Sequence, residues 1–176
     1  MKKLKKNNMQ KYPEQRVGVF VDVQNMYHSA KNLYNSRVNF KEVLKEAVAD
    51  RKLVTAVAYV ITSPTKEEAP FFEALDKAGF KIKTKDLQIF PGGAKKADWD
   101  VGLAIDAIRI SSKLDVVVIV SGDGDYVPLV EYLINNGTQV EAIAFAESSS
   151  RILSEKVDDF TDLSKDKKRY LMKIKN

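Results

Sequence analysis

The sequence predicts a three-layer α/β domain on a mostly parallel sheet of about five strands. Three observations predict it. Apolar, β-branched runs alternate with amphipathic stretches of helical length from residue 16 to 163. The runs at 16–22 and 115–122 are apolar on both faces, as central strands covered by helices on either side must be. No repeat, low-complexity linker or Pro/Gly-rich boundary interrupts the alternation, and 176 residues suffice for one domain with a sizeable core. The expected division is a basic N-terminal tail (1–15), the domain (16–163) and a basic C-terminal tail (164–176).

The elements follow in order. "RVGVFVD" (16–22) reads as the first strand, with a helix over about 25–35 behind it. Asn39 is placed to cap the helix "FKEVLKEAVAD" (40–50). "LVTAVAYVIT" (53–62) is the second strand. The helix after it, about 66–78, carries Pro70 in its first turn, where a missing N–H is tolerated, and Gly79 closes it. In "KIKTKDLQIF" (81–90), Lys81, Lys83 and Lys85 alternate with Ile82 and Thr84, so one face is partly wet and the strand belongs at a sheet edge. A helix over 98–112 leads to the fourth strand, "DVVVIVSG" (115–122). Gly137 closes the helix at 127–136, "TQVEAIAFA" (138–146) is the fifth strand, and a last helix covers 148–157.

Composition narrows the chemistry. There is no cysteine, which removes disulfides, zinc–thiolate sites and thiol catalysis, and there is one histidine. "MKKLKKNNMQ" is basic but no apolar h-region follows, and no apolar run is long enough to span a bilayer. A soluble, cytoplasmic protein is expected. The net charge of +5 is uneven: residues 1–12 and 164–176 each carry +5, which leaves −5 on the body between them. Terminal lysines keep frayed ends solvated, which is the simpler reading of such tails. They would also draw a polyanion toward an acidic body.

In open parallel sheets, ligands gather at the carboxyl ends of the strands, near the point where strand order reverses. Carboxylates collect at that edge here. Asp22 ends the first strand, and Asp123 and Asp125 end the fourth in "SGDGD". Asp22 has a local reading as a helix cap, although Asn25 is better placed for it. Asp125 is as readily a cap for the helix near Tyr126 as a site residue. Asp123 has less of a local reading, because Gly122 and Gly124 make the surrounding backbone permissive. In "KKADWDVGLAIDAIRISS", a step of 100° per residue puts Asp100 among Val101, Leu103, Ala104, Ala107 and Ile108, inside the apolar arc. A carboxylate there is costly unless paired, hydrogen-bonded or bound to a cation. Asp98 is most economically an N-cap. Asp106 falls toward the polar side, with Arg109 three residues on as a surface partner.

Clustered carboxylates cannot all ionise without compensation, which a divalent cation supplies. With no cysteine and one histidine the ligands would be oxygens, which favours Mg²⁺ or Mn²⁺ over zinc. Such ions activate water and stabilise the oxygens of a phosphoryl displacement. Other chemistries lack their motifs: there is no G-x-G-x-x-G after the first strand, no Walker A and no G-x-S-x-G. A phospho-aspartyl phosphatase would show D-x-D at the first strand, where Asp22 is followed by Val23 and Gln24. His28, in the first helix, either lines the site or is an ordinary surface residue.

"VFVDVQNMY", "KKADWDVGLAIDA" and "VSGDGDYVPLV", in this order, resemble the NYN domain, a branch of the PIN-like nuclease superfamily, and most closely its LabA-like group. The resemblance covers about 16–163, including "ILSEKVDDFTDL". It implies a Rossmann-like, PIN-like fold and a metal-dependent ribonuclease. It implies Asp22, Asp100, Asp123 and Asp125 as the acidic, metal-binding and catalytic set. Asn25 and Lys96 match the family's strand-1 asparagine and the lysine ahead of the helix, and Asp106 matches a further recurrent acid. Because PIN-like domains often dimerise, the resemblance also allows a homodimer.

Two functions follow. In the first, a nuclease, Asp22, Asp100 and Asp123 hold Mg²⁺ or Mn²⁺, and Asp125 adds a ligand or orients the attacking water. Asn25 and Ser121 order metal waters or touch a phosphate oxygen. Lys96, with Lys95, either contacts phosphate or belongs to a solvated loop. Trp99 and Tyr126 either stack on a base or pack the core. RNA is favoured over DNA as the nucleic-acid partner, with phosphate contacts from the tails and from Lys81, Lys83 and Lys85. In the second, the same acidic pocket serves a non-catalytic module that binds nucleic acid or a nucleotide.

Overall fold

The computed structural model describes residues 9–63 and 68–174, and the side chains of all of these except Lys95 and Lys96. Most of the expected N-terminal tail and the start expected for the third helix, at 66, lie outside the described residues.

The chain runs β1 (Arg16–Asp22), α1 (Val23–Tyr34), β2 (Ser36–Val38), α2 (Phe40–Val48), β3 (Lys52–Thr62), α3 (Ala69–Ala78) and β4 (Lys81–Asp86). It continues through β5 (Gln88–Ile89), β6 (Lys95–Lys96), α4 (Asp100–Ser111), β7 (Val116–Val120), α5 (Val127–Asn135) and β8 (Gln139–Ala144). It closes with α6 (Arg151–Lys156), β9 (Asp159–Asp162), α7 (Lys167–Tyr170) and β10 (Leu171–Lys173). The expected helices are present. Asn39 caps α2 by accepting from the Glu42 N–H, and Gly79 takes the left-handed conformation that ends α3.

The central sheet has the order β4-β3-β1-β7-β8-β9 and is all parallel. It has six strands rather than five. The added strand, β9, is short and polar ("DFTD") and pairs at the edge beside β8. β4 is the opposite edge, as its lysines require, but it stops at Asp86. Gln88–Ile89 turn away to pair with Lys95–Lys96 in a small antiparallel hairpin, so 81–90 is two elements and not one strand.

Side-chain alternation builds the core. On β1, Val17, Val19 and Val21 face the layer of α1, α2 and α3, while Phe20 faces α4, α5 and α6. On β7, Val116, Val118 and Val120 join the first layer, and Val117 and Ile119 the second. Each of these is essentially inaccessible to water, worth about 1.5–3 kcal/mol per side chain relative to exposure. The basic C-terminal residues take part in the packing. β10 pairs antiparallel with β2, Tyr170 is buried, and the Arg169 guanidinium bonds Glu42 and Glu46. From β1 the chain moves outward to β3 and β4, then returns to β7 and moves the other way to β8 and β9. The reversal lies between β1 and β7, so Asp22 and the Ser121–Asp125 turn leave the sheet at the switch point.

Candidate metal centre

Three elements bring three carboxylates together there. Asp22, Asp100 and Asp123 each offer one oxygen, and these oxygens all lie within 4.8 Å of one another. Asp22 is the last residue of β1 and the N-cap of α1, its Oδ1 accepting from the Asn25 N–H at 3.1 Å. The capping role expected of Asn25 therefore falls to Asp22. Asn25 instead turns its Oδ1 to the Gly122 N–H at 3.0 Å and ties α1 to the turn after β7. Asp100 opens α4, preceded by Asp98, whose Oδ1 accepts from the Asp100 N–H at 3.3 Å.

Within "SGDGD" the cap that Asp125 could have supplied is made by Asp123, which also joins the acidic cluster as expected. Asp123 is the cap: it accepts from the Asp125 N–H at 2.9 Å at the start of a 3-10 turn over Gly124–Tyr126, and it is also the residue that joins the cluster. Asp125 is exposed and stands outside the trio. The two glycines are needed for room rather than for unusual dihedrals, since neither has a positive φ. A Cβ on Gly122 would lie 2.5 Å from Ser149 Oγ, and one on Gly124 2.8 Å from Ser150 Oγ. Ser121 is fully buried; its hydroxyl donates to Asp22 Oδ2 at 3.3 Å and accepts from the Asp123 N–H at 3.1 Å. It orients the acids and does not reach the cleft.

Tyr126 was legible only as a stacking or core residue, and its ring is indeed core, 1% exposed. Its hydroxyl is what the sequence reading missed. It lies 3.1 Å from Asp22 Oδ2 and 3.1 Å from Asp100 Oδ1. The available signal was a tyrosine directly after two acids, since a buried phenol must find a partner. Trp99 packs as well, donating to the Val60 carbonyl at 3.0 Å and lying against Tyr59. Asp106 faces away from the trio. It accepts from the Tyr59 hydroxyl at 2.8 Å and from Lys83 at 2.7 Å, so its ion pair is with the edge strand and not the expected one with Arg109. The Lys96 side chain lies outside the described residues.

The trio opens on a cleft of about 330 Å³. One wall is a stripe of α1, Asn25, His28, Ser29 and Asn32, at the i, i+3, i+4, i+7 spacing of one helix face. His28 is thus at the cleft. No lysine or arginine is among its described lining residues, so none of these compensates the acids. Burial pushes the Asp22 carboxyl up, against hydrogen bonds from Asn25, Tyr126 and Ser121, and the charge of Asp123 adds to it. Burial likewise raises Asp100, Tyr126 opposes this, and the charges of Asp22, Asp123 and Asp98 reinforce it. The Tyr126 phenol is held far above its ordinary range by burial and by the two carboxylates, so it stays protonated and donates. The donor set fits a hard divalent cation: all oxygens, close together and short of positive charge.

A model of the NYN domain matches residues 16–164. The chain belongs to the NYN domain family. This NYN domain is 24% identical over 164 residues to the Low amplitude and bright protein LabA of Synechococcus elongatus, covering 85% of this chain and 84% of that protein. That similarity supports the LabA-like group. A crystal structure of a protein of unknown function from Vibrio parahaemolyticus superposes on the NYN domain with a TM-score of 0.82 at 30% identity, covering 93% of this chain and all of that one. The fold is accordingly the PIN-like α/β fold, with the acidic trio at the carboxyl edge of its sheet. Among the described residues no helix is long and apolar enough to cross a membrane.

Proposed function

We propose that this NYN domain is a divalent-metal-dependent ribonuclease that hydrolyses phosphodiester bonds in the cleft beside Asp22, Asp100 and Asp123. The observation that carries the reading is the trio, three carboxylate oxygens within 4.8 Å at the switch point of the sheet, with no cation beside it among the described lining residues. Those three residues would hold Mg²⁺ or Mn²⁺. When bound, the ion would supply Lewis acidity toward a phosphoryl oxygen and lower the pKa of a water.

The chain's own groups have separable tasks. Ser121 and the Asn25 N–H fix the Asp22 carboxylate. Asn25 uses its Oδ1 on Gly122, which leaves its amide Nδ2 as a donor for a substrate oxygen. Asp125, exposed on the same turn and outside the trio, would orient the attacking water rather than hold the ion, so its loss should cost less than that of Asp123. Lys85 donates to the Asp98 carbonyl at 2.8 Å and lies over the Trp99 ring, with no salt bridge among the described residues. It would serve as a phosphate contact near Asp98, which lines the cleft, and the family pattern suggests Lys96 as another.

Purified protein incubated with labelled RNA and DNA, in Mn²⁺, Mg²⁺ or EDTA, tests the reading beside Asp123→Asn. RNA should be cut with metal present, and cleavage should disappear in EDTA and in the variant. Cutting that survives either change would sink the metal reading. RNA bound tightly and left intact would make the domain a binding module.

A further inference from the structure

We propose that Tyr126 is a positioning residue of the metal site, whose hydroxyl holds the Asp100 carboxylate against Asp22 in the arrangement a cation needs. The inference rests on the trio being metal ligands. The two acceptors come from separate elements, the end of β1 and the first turn of α4. Asp22 is secured without Tyr126, by the Asn25 N–H and the Ser121 hydroxyl. Asp100 is not. Among the described residues the Tyr126 hydroxyl, at 3.1 Å, makes the hydrogen bond given to its carboxylate, and no lysine or arginine pairs with it.

Asp100, like Asp123, is half-buried and so partly open to solvent. The charges of Asp22, Asp123 and Asp98 disfavour its ionised form beside them. The Tyr126 hydroxyl opposes this, and its ring cannot move: it is 1% exposed and packed in the core layer that includes Leu103 and Leu129. A rigid phenol thus converts core packing into ligand placement. Without the hydroxyl, the cation would have to immobilise Asp100 and gather the charges itself. Groups that orient metal ligands typically contribute about 10–100-fold in metal affinity.

The test compares wild type, Tyr126→Phe, Asp100→Ala and the double variant. Mn²⁺ binding is measured by calorimetry and by the loss of free-ion paramagnetic signal, and melting temperature is measured in EDTA. Phenylalanine keeps the ring and its burial. Tyr126→Phe should bind Mn²⁺ at least about tenfold more weakly. Its melting temperature in EDTA should be close to wild type. Ribonuclease turnover should recover at saturating Mn²⁺ while the half-saturating concentration rises. In the Asp100→Ala background the same change should alter Mn²⁺ affinity less than about twofold, because the acceptor at position 100 is gone. Unchanged Mn²⁺ affinity in Tyr126→Phe overturns the inference, as does a fall in melting temperature alone. An equal affinity loss with and without Asp100 overturns the route through Asp100. Wild type that binds no Mn²⁺ overturns this inference together with the ribonuclease reading, whereas wild type that binds Mn²⁺ without cutting RNA leaves the ribonuclease reading alone refuted.

Discussion

At the scale of single residues, the carboxylates sort by what surrounds them. Asp106 has Lys83 and Tyr59 and is held below the ordinary carboxylate range, chiefly by that lysine working against burial. Asp22 and Asp100 have burial and like charges, and both are raised. A carboxyl raised in the folded state binds protons there more readily than in the unfolded chain. Its ionisation therefore destabilises the fold as pH rises from the unfolded value, about 4, through the folded one. Asp100→Asn should then leave the metal-free protein unchanged at low pH and raise its melting temperature near neutral pH. Thermal scans in EDTA across pH 4–8 check this, and a large loss at pH 7 would mark Asp100 as a structural cap. Much of this was legible beforehand. Asp100 stood out because its neighbours on the helix are apolar, and Asp22 and Asp123 because they end apolar strands. That Asp123 rather than Asp125 makes the cap was not legible, since both are acids at a helix start and only side-chain direction separates them. The Tyr126 hydroxyl was hidden for a related reason: pattern places a ring in the core but says nothing of where its one polar atom points.

At the scale of elements, the decisive unit is the turn after β7. The Ser150 N–H donates to the Gly122 carbonyl at 2.8 Å, and the serines after β8 pack where glycine side chains would be. Gly122→Ala places a methyl 2.5 Å from Ser149 Oγ and 3.0 Å from Ser149 Cα, and the second of these is backbone that cannot rotate away. The turn should shift at a cost of about 1–3 kcal/mol. Asp123 would move with it, so Mn²⁺ affinity should fall as well. Urea denaturation and Mn²⁺ titration of the same variant report the two effects, and a variant with wild-type values in both would show that the close approach is not a constraint. The long elements were legible because their patterns are long: eleven residues in β3 and twelve each in α1 and α4. The missed ones are short and depend on partners distant in sequence. β2 and β10 have three residues each and pair only with one another, and β9 is half acidic. Nothing local to "DFTD" announces a strand, because β8 supplies the hydrogen bonds that make it one.

At the scale of the whole molecule, the two ends of the sheet treat acids oppositely. At the amino end every acid discussed has a cation. Asp115 takes two hydrogen bonds from the Arg16 side chain and one from its backbone and is held down at about 2, so its contribution is present above about pH 4 and lost as pH falls toward 2. Lys11 lies 3.6 Å from Glu141 and 4.0 Å from Asp159. Deepest is Arg51 with Glu141, whose side chains are 0% and 3% exposed, joined by two hydrogen bonds of 2.8 and 3.0 Å. The remaining donors of Arg51 go to the Ala47 and Val48 carbonyls and to the Gln15 side-chain oxygen, so the end of α2 is bonded through it to β8. At the carboxyl end the trio has no such partner among the described residues. The same fold thus spends its cations where acids are structural and withholds them where a ligand must supply the charge. This predicts separable losses. Arg51→Met strands Glu141 as a buried charge with only Lys11 and Gln139 near it, and should cost about 3–5 kcal/mol. Arg51→Met with Glu141→Leu removes both charges and should recover most of that. Both variants should keep wild-type Mn²⁺ affinity, because neither residue lines the acidic cleft. Chemical denaturation with Mn²⁺ titration decides it. A double variant as unstable as the single one would show that Arg51 matters for its bonds to α2 rather than for Glu141, and a loss of Mn²⁺ affinity would show that the two ends are coupled.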